Sequence, residues 1–487
     1  MGPKGRRLMA LGLVLAGLAW QGACAPVGPD YTPPEAKAPP SWHSQLKDGV
    51  TSGHPEVRSL ARWWEKLGDP ILSALVSRAV EGNLALKQAQ ARVRQARALR
   101  GVSQAGLYPS VDAAGQAEVS RGSESGGSGT VDQYYAAGFD ATWELDLFGG
   151  VRRSVEAAEA QLQASQANLR DVLVSLVAEV ALNYVDVRTY QERLAVAQAN
   201  LRAQEKTYSY ILSRHQAGLV NRLALEQARY NLENTRSQIP VLRSGLNASL
   251  NRLAVLLGQA PGRLHTLMVK PKPVPVPPLT IAVGIPAEAL RRRPDIRRAE
   301  RQLAAQTARV GVATADLYPK FRLAGTIGLE SVSTGDFLKT GSLIWGILPS
   351  FSWNLFAAGA IRQRIEAESA LQQEALLTYQ AAVLVALEEV ENALTGYAQE
   401  QRRRAALRQA VTAAKEAEGL SQDFFLAGLI NFDSVLDAQR SLLTFQDQLA
   451  ISEGAVTARL ISLYKALGGG WGALAPEPAA KPAKAKK

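Results

Sequence analysis

The chain has 487 residues, 47% of them hydrophobic, and a single cysteine (Cys24), so it can bury more than one ordinary core but cannot form an internal disulfide. Its formal charge of +11 sits largely at the ends: Lys4, Arg6, Arg7, Lys481, Lys484, Lys486 and Lys487 leave about +4 on the body, which argues against a nucleic-acid partner. The four histidines (His43, His54, His215, His265) lack ligand spacing and no nucleophile, base or metal-ligand set clusters, so an enzyme, a metal site and a cofactor are not expected.

Met1 to Arg7 is basic, Leu8 to Trp20 is apolar, and Gly22 and Ala23 are small residues before Cys24, the order of a secretory signal. The apolar run falls short of the ~20 residues of a spanning helix, as does every other apolar run in the chain. Residues 1–23 resemble a lipoprotein signal, which implies cleavage after Ala23 and a covalent lipid on Cys24. Cleavage after Ala25 by the ordinary signal peptidase is the alternative. Residues 24–69 read as an extended segment.

The next 400 residues contain the same unit twice. Gly101-Val102, Ala105 and Leu107-Tyr108-Pro109 return as Gly311-Val312, Ala315 and Leu317-Tyr318-Pro319. Trp143 returns as Trp353, Ala217-Gly218-Leu219 as Ala427-Gly428-Leu429, and Leu257-Gly258 as Leu467-Gly468, always 210 residues on. The first copy spans 70–258 and the second 286–468, joined by a Pro-rich linker over 259–285; an Ala/Pro/Lys tail, expected to be disordered, follows over 469–487.

Each copy opens with a helical stretch, Pro70 to Ala105 and then Pro286 to Ala315. Two segments of period-two alternation follow. In the first copy they lie near 108–120 and 132–146, in the second near 318–331 and 342–356. Val111, Ala113, Ala117 and Val119 oppose Asp112, Gln116 and Glu118; Tyr135, Phe139, Trp143 and Leu145 oppose Tyr134, Asp140, Glu144 and Asp146. Phe321, Leu323, Ile327 and Leu329 oppose Lys320, Arg322, Thr326 and Glu330; Leu343, Trp345, Ile347, Phe351, Trp353 and Leu355 oppose Ser342, Ser350, Ser352 and Asn354. Such alternation marks strands with one apolar and one wet face, and about ten residues suits a tilted membrane strand with Trp and Tyr at its ends. A soluble sheet packed on a core would give the same alternation. In lipid, however, four strands leave open edges, and the smallest membrane barrels need about eight, so several chains must share one barrel.

Very long helices complete each copy. Val151 to His215 is free of proline and rich in Ala, Gln, Leu and Glu; as one helix it would run about 98 Å. A turn near 216–221 reverses the chain into a second helix to about Leu257. Ile361 to Leu426, a turn near 427–431 and Phe432 to Leu467 repeat the hairpin. The dense small residues (Ala157, Ala158, Ala160, Ala164, Ala167) favour close, gently curved helix packing over a solid Leu/Ile seam, and hence a hollow helical cylinder.

The stretch Leu290 to Glu300 (LRRRPDIRRAE) resembles the signature of outer-membrane lipoproteins of resistance-nodulation-division efflux systems, within the TolC-type outer-membrane factors. Cys24 to Pro34 (CAPVGPDYTPP), Trp63-Trp64, Leu67-Gly68-Asp69-Pro70 and Leu436 to Arg440 (LDAQR) resemble it too, so the likeness runs along nearly the whole mature chain. It implies a mainly α fold with a membrane β-barrel: a homotrimer whose twelve-stranded barrel in the outer membrane continues as a long periplasmic α-helical barrel, with a belt built from the termini and the linker. It implies a passive exit duct for small molecules, partnered by a periplasmic adaptor, an inner-membrane proton-driven pump and outer-membrane lipid. Gly218, Leu219, Gly428 and Leu429 match the hairpin tips that receive the adaptor. Asp437 matches the family's gate carboxylate and Arg440 the basic residue one turn beyond it, and with Asp433, one turn earlier on the same helix face, they make the expected periplasmic gate. An N-terminal capping or solvated role is the plain alternative for both carboxylates.

Two other readings remain open on the residues: a type I protein-secretion duct of the same fold, and a coiled-coil envelope tether with no barrel. The anchor has a direct test. Cys24→Ser is expected to abolish incorporation of labelled palmitate into the mature protein, and continued labelling would show that the lipid is attached elsewhere.

Overall fold

A computed structural model of the chain describes residues 25–35, 38–46, 50–53, 60–126, 129–268, 270–275 and 281–473. Ala23, Cys24 and the tail beyond 473 lie outside the described residues. The elements run in the order β1 (Val50–Thr51), a 3-10 turn (Trp63–Leu67), α1 (Pro70–Gly82), α2 (Leu84–Ala105), β2 (Ser110–Arg121), β3 (Val131–Leu145), α3 (Gly150–Gln216) and α4 (Arg222–Leu256). The second copy follows: β4 (Ile281–Ala282), α5 (Pro286–Arg292), α6 (Pro294–Ala315), β5 (Lys320–Ser331), β6 (Leu343–Ser352), α7 (Ala360–Leu426) and α8 (Phe432–Ala466). Among the described residues, no helix is long and apolar enough to cross a membrane.

The described residues form two compact units, one drawn from the stretches 1–35, 91–166 and 297–381, the other from 36–90, 167–296 and 382–487. The first holds a four-stranded antiparallel sheet in the order β2-β3-β5-β6. Its register lines up Ala113, Phe139, Ile327 and Trp345 in one row and Val111, Ala141, Gly325 and Ile347 in the next. These side chains have no cover: Phe139 is 58% exposed, Ile347 69% and Trp345 73%. On the opposite face Asp112, Asp140 and Thr326 share a row, and Glu144, Arg322 and Ser350 another. Ile344 and Leu348 also lie on that face, so the wet side of β6 is less polar than its serines suggest.

The two tryptophans at the foot of the sheet show the repeat in atomic detail. Trp143 Nε1 donates to the Leu107 carbonyl at 3.1 Å, and Trp353 Nε1 to the Leu317 carbonyl at 3.0 Å. β6 ends at Ser352, so Trp353 and Leu355, expected on a strand, lie in the turn after it. The N-terminal segment is strapped to this corner. Val27 N donates to the Phe148 carbonyl, and the buried Arg153 guanidinium holds the Val27 and Gly28 carbonyls and Asp30 Oδ1.

The second unit holds the main core. Trp63 stacks on Tyr464 with ring centroids 5.4 Å apart and meets Trp64 edge-on, above Leu72, Leu75, Leu86, Leu173, Val180, Leu253 and Leu460, all fully buried. The residues after the tryptophans start α1: Leu67 is buried, Gly68 stops the 3-10 turn at φ 65°, Asp69 Oδ1 accepts from Ile71 N at 2.8 Å, and Pro70 takes the first helical position. β1 and β4 pair in parallel, a contact between the N-terminal segment and the linker that local pattern does not announce. Residues 469–473, expected within the tail, belong to this unit: Gly470 N donates to the Leu60 carbonyl and Trp471–Ala473 forms a short 3-10 turn.

The two opening helical stretches, expected to be continuous, are each broken at equivalent places. Asn83 adopts an extended conformation, its Oδ1 accepts from Leu86 N at 2.9 Å to start α2, and its Nδ2 donates to the Leu256 carbonyl at 2.9 Å. In the second copy Arg293, held extended by the following Pro294, donates from Nη1 to the Ala466 carbonyl at 2.9 Å. A side chain thus caps the end of each returning helix. α4 runs on through Pro240, which the length of the pattern did not exclude.

Arg293 explains the RRPDI stretch physically. Its guanidinium, only 8% exposed, clasps both oxygens of Asp295 at 3.1 and 2.7 Å and reaches Glu389 at 2.6 Å. Burial alone would push the Asp295 carboxyl up, but the Arg293 hydrogen bonds and charge outweigh it and hold the group below the usual carboxylate range. A depressed folded value stabilises above the unfolded value of about 3.9 and is lost as the pH falls through the folded value. The purified protein should therefore lose thermal stability below about pH 4. Arg293→Met should destabilise the fold at pH 7 by about 2 kcal/mol or more, read as a lower melting temperature, and flatten that acid slope. An unchanged slope would show that Asp295 gains nothing from the clasp.

Candidate functional site

Two helix-to-helix turns in the second unit, and the first turns of the helices that follow them, carry every residue singled out from the hairpins. α3 ends in a left-handed glycine: Gly218 has φ 74°, its N–H returns to the His215 carbonyl, and Leu219 N donates to the Arg214 carbonyl at 2.8 Å. Gly428 has φ 76°, with Gly428 N on the Phe425 carbonyl and Leu429 N on the Phe424 carbonyl at 2.9 Å. Only glycine enters this backbone region without cost, so the reversal is written in the sequence at both places. Leu219 and Leu429 then project outward, 64% and 71% exposed. Asn221 caps α4 by accepting from Ala224 N at 3.0 Å, whereas Asn431, its counterpart before α8, makes no capping bond.

Behind the tips the hairpins share a small apolar cluster of Ile211, Ala228, Phe432, Val435 and Leu436, with Phe425 5.4 Å from Phe432. Arg214 lies over both Tyr210 and Phe425, 5.7 Å from each ring centroid. The cluster fixes the level of α8 against α3 and α4, and thereby places Arg440.

Arg440 is the hub of the polar groups next to that cluster. Nη1 donates to Asp437 Oδ1 at 3.1 Å within α8, and Nε donates to Asn231 Oδ1 at 3.3 Å on α4. Nη2 donates to the Tyr230 hydroxyl, and the guanidinium carbon stands 5.2 Å from the Tyr230 ring centroid. Asp437 is 74% exposed, so the ion pair contributes little by itself, about 0.2–1 kcal/mol. The bonds to α4 tie one hairpin to the other; the bond to Asp437 only orients the guanidinium.

Of the three residues picked out at the start of α8, the fold joins Asp437 and Arg440 and leaves Asp433 aside. Asp433 is an exposed residue in the first turn, where its charge meets the positive end of the helix. Tyr230 and Asn231 were not singled out in the sequence. One signal for Tyr230 was present: it stands 210 residues before Arg440, the same place in the other copy. Among the described residues no group of three or more His, Cys, Asp or Glu side chains is arranged to hold a metal ion.

The sequence pattern of the family described as "Outer membrane efflux protein" matches residues 75–259 and 285–469, the two copies of the repeat. Nodulation protein T of Rhizobium leguminosarum bv. trifolii is 32% identical over 457 residues, covering 92% of this chain and 95% of that protein. The solvent efflux pump outer membrane protein SrpC of Pseudomonas putida is 30% identical over 466 residues, covering 94% of this chain and 98% of its own. Among solved structures, the outer-membrane channel OprN superposes with a TM-score of 0.86 at 34% identity, covering 91% of this chain and 99% of that one.

Proposed function

We propose that this chain, which belongs to the outer membrane efflux protein family, is the exit duct of a tripartite efflux machine, closed at its periplasmic end by the Arg440 hub and opened through its hairpin tips. The protein is an outer-membrane efflux channel component. The observation that carries the finer reading is the sheet. Its apolar face is uncovered, and β2 and β6 each pair on one side only, so neither survives in lipid unless another chain completes the ring.

The strand directions favour such closure. β2 and β6 run antiparallel to each other, so β6 of one copy can pair with β2 of the next without breaking the alternation. Repeating this head-to-tail contact gives a closed ring. Three copies give twelve strands, wide enough for a channel, where the smallest barrels of about eight are filled by their own side chains. Asp112, Asp140, Glu144 and Arg322 then line water while Phe139, Trp345 and Ile347 face lipid. A lipid on Cys24 would enter the same membrane, since the strap beginning at Ala25 is fastened beside the foot of β3.

The tips supply the docking surface. Leu219 and Leu429 are exposed apolar side chains on rigid glycine turns, suited to a periplasmic adaptor that links the duct to an inner-membrane pump. Small toxic compounds of the kind handled by a solvent efflux pump are the proposed cargo class, and the pump, not the duct, would choose among them. At the constriction, one Asp437 per protomer repeated around the axis forms a carboxylate ring that attracts cations, and Arg440 tethers α8 to α4 in the closed arrangement.

Two tests follow from these assignments. In planar bilayers Asp437→Ala and Arg440→Ala are expected to raise single-channel conductance, Tyr230→Phe to raise it less because the ring remains, and Asp433→Ala to leave it near the wild-type value; unchanged conductance in Asp437→Ala and Arg440→Ala would remove the gate. In cells carrying the cognate adaptor and pump, Leu219→Asp with Leu429→Asp should abolish export while the trimer still reaches the outer membrane. Full export by that double variant would place docking elsewhere.

A further inference from the structure

Between the apolar tip cluster and the next one along the hairpin, formed by Leu194, Ala197, Ile239 and Leu242, the packing is interrupted by polar side chains. Gln204 on α3, Asn231 and Thr235 on α4 and Gln439 on α8 are 4%, 3%, 1% and 4% exposed. Gln439 Nε2 donates to Thr207 Oγ1 at 3.1 Å, and Asn231 Oδ1 takes the Arg440 bond. The remaining capacity is unspent. Gln204 Oε1 and Nε2, Asn231 Nδ2, Thr235 Oγ1 and Gln439 Oε1 have no hydrogen-bond partner among the described residues.

Unpaired buried amides are costly, and native cores hold few of them. Here they gather between the two apolar clusters, where α8 of one hairpin meets α3 and α4 of the other. They are also chemically self-complementary: two N–H donors, two carbonyl acceptors and a hydroxyl that serves as either. The hairpin architecture does not require them, because the second copy fills the positions of Gln204, Thr207, Asn231 and Thr235 with Ala414, Ala417, Ser441 and Phe445.

We propose that this layer is a slip plane, the level at which α8 moves across α3 and α4 when the periplasmic tips separate. An interdigitated apolar ridge resists sliding, because every intermediate position opens voids. A layer of amides that spends few bonds in this register and keeps spare donors and acceptors can regain in a displaced register what it loses on leaving, so the two registers lie close in energy. Gln439 lies next to Arg440 on α8, and Asn231 is shared by the layer and the hub, so a shift in the plane and release of the hub are one motion. The consequence for conduction rests on the gate reading above.

The test replaces the layer without touching the hub. In the full-length protein in detergent, Gln204→Leu with Thr235→Val is expected to slow amide hydrogen exchange in the tip segments (205–235 and 432–440) at least about fivefold. It should also cut the conductance gain that Asp437→Ala produces. Tip exchange that is unchanged or faster in a variant still migrating as the native oligomer would overturn the slip plane, whatever Asp437→Ala does. Slowed exchange combined with no conductance gain from Asp437→Ala in either background would support the plane and remove the gate instead. Should the double variant fail to assemble, the nearly isosteric Thr235→Val alone is read by the same criterion.

Discussion

The unpaired backbone edges of β2 and β6 decide the rest of the architecture. A strand edge exposes a row of N–H and C=O groups, and in hydrocarbon each unmet group costs several kcal/mol. The sheet also presents Phe139, Trp345, Ile347 and Phe351 outward, so its apolar face belongs in lipid. Together these facts exclude a stable membrane-embedded monomer. They also account for the chain's composition: with the lipid contact limited to four strands, the other elements are free to be alanine-rich helices of ordinary polarity.

The repeat turns one set of contacts into two and then uses the difference between them. Trp143 and Trp353 bond equivalent carbonyls, and the glycine turns at 218 and 428 have nearly the same φ. Asn83 and Arg293 also do one job, bonding the last carbonyls of α4 and α8, but only Arg293 carries a charge and recruits Asp295 and Glu389. At the hub the copies meet directly, since Tyr230 and Arg440 hold the same place in successive copies and bond to each other. Duplication supplied the symmetry; substitution at matched positions supplied the bond between Tyr230 and Arg440.

Much of this was legible because the physics is local. Period-two alternation follows from a strand having lipid on one side and water on the other, and Gly218 and Gly428 mark positions where the backbone itself demands glycine. What stayed hidden depends on residues distant in sequence. The break at Asn83 has a local hint in Gly82-Asn83, but its reason is the Leu256 carbonyl. The β1–β4 pairing joins Val50 to Ile281, beyond any window of pattern. Asp433 and Asp437 look alike along α8, and only the neighbouring α4, which presents Tyr230 and Asn231, separates the residue near the hub from the one at the helix start. The polar layer was invisible for the same reason, since Gln204, Thr235 and Gln439 are ordinary helix residues until three helices bury them together.

The contrast in strength between the core and the tips fits a duct that holds no energy source of its own. The core around Trp63, Tyr464 and Leu253 is apolar and deeply buried, and the clasp of Arg293 locks its helices. The contacts proposed to close the tips are an exposed ion pair, a hydroxyl and an amide, each weak alone. Moving a two-state equilibrium from 1:99 to 99:1 takes about 5.5 kcal/mol of differential binding. An adaptor docked on the exposed tips, as proposed, would supply an amount of that order, spread over repeated contacts around a ring, but not the energy to break a packed core. A stronger closure would leave the duct shut, and a purely apolar one would lack a second register in which to rest. Weak, partner-exchanging polar contacts at the tips of stiff helices satisfy both conditions.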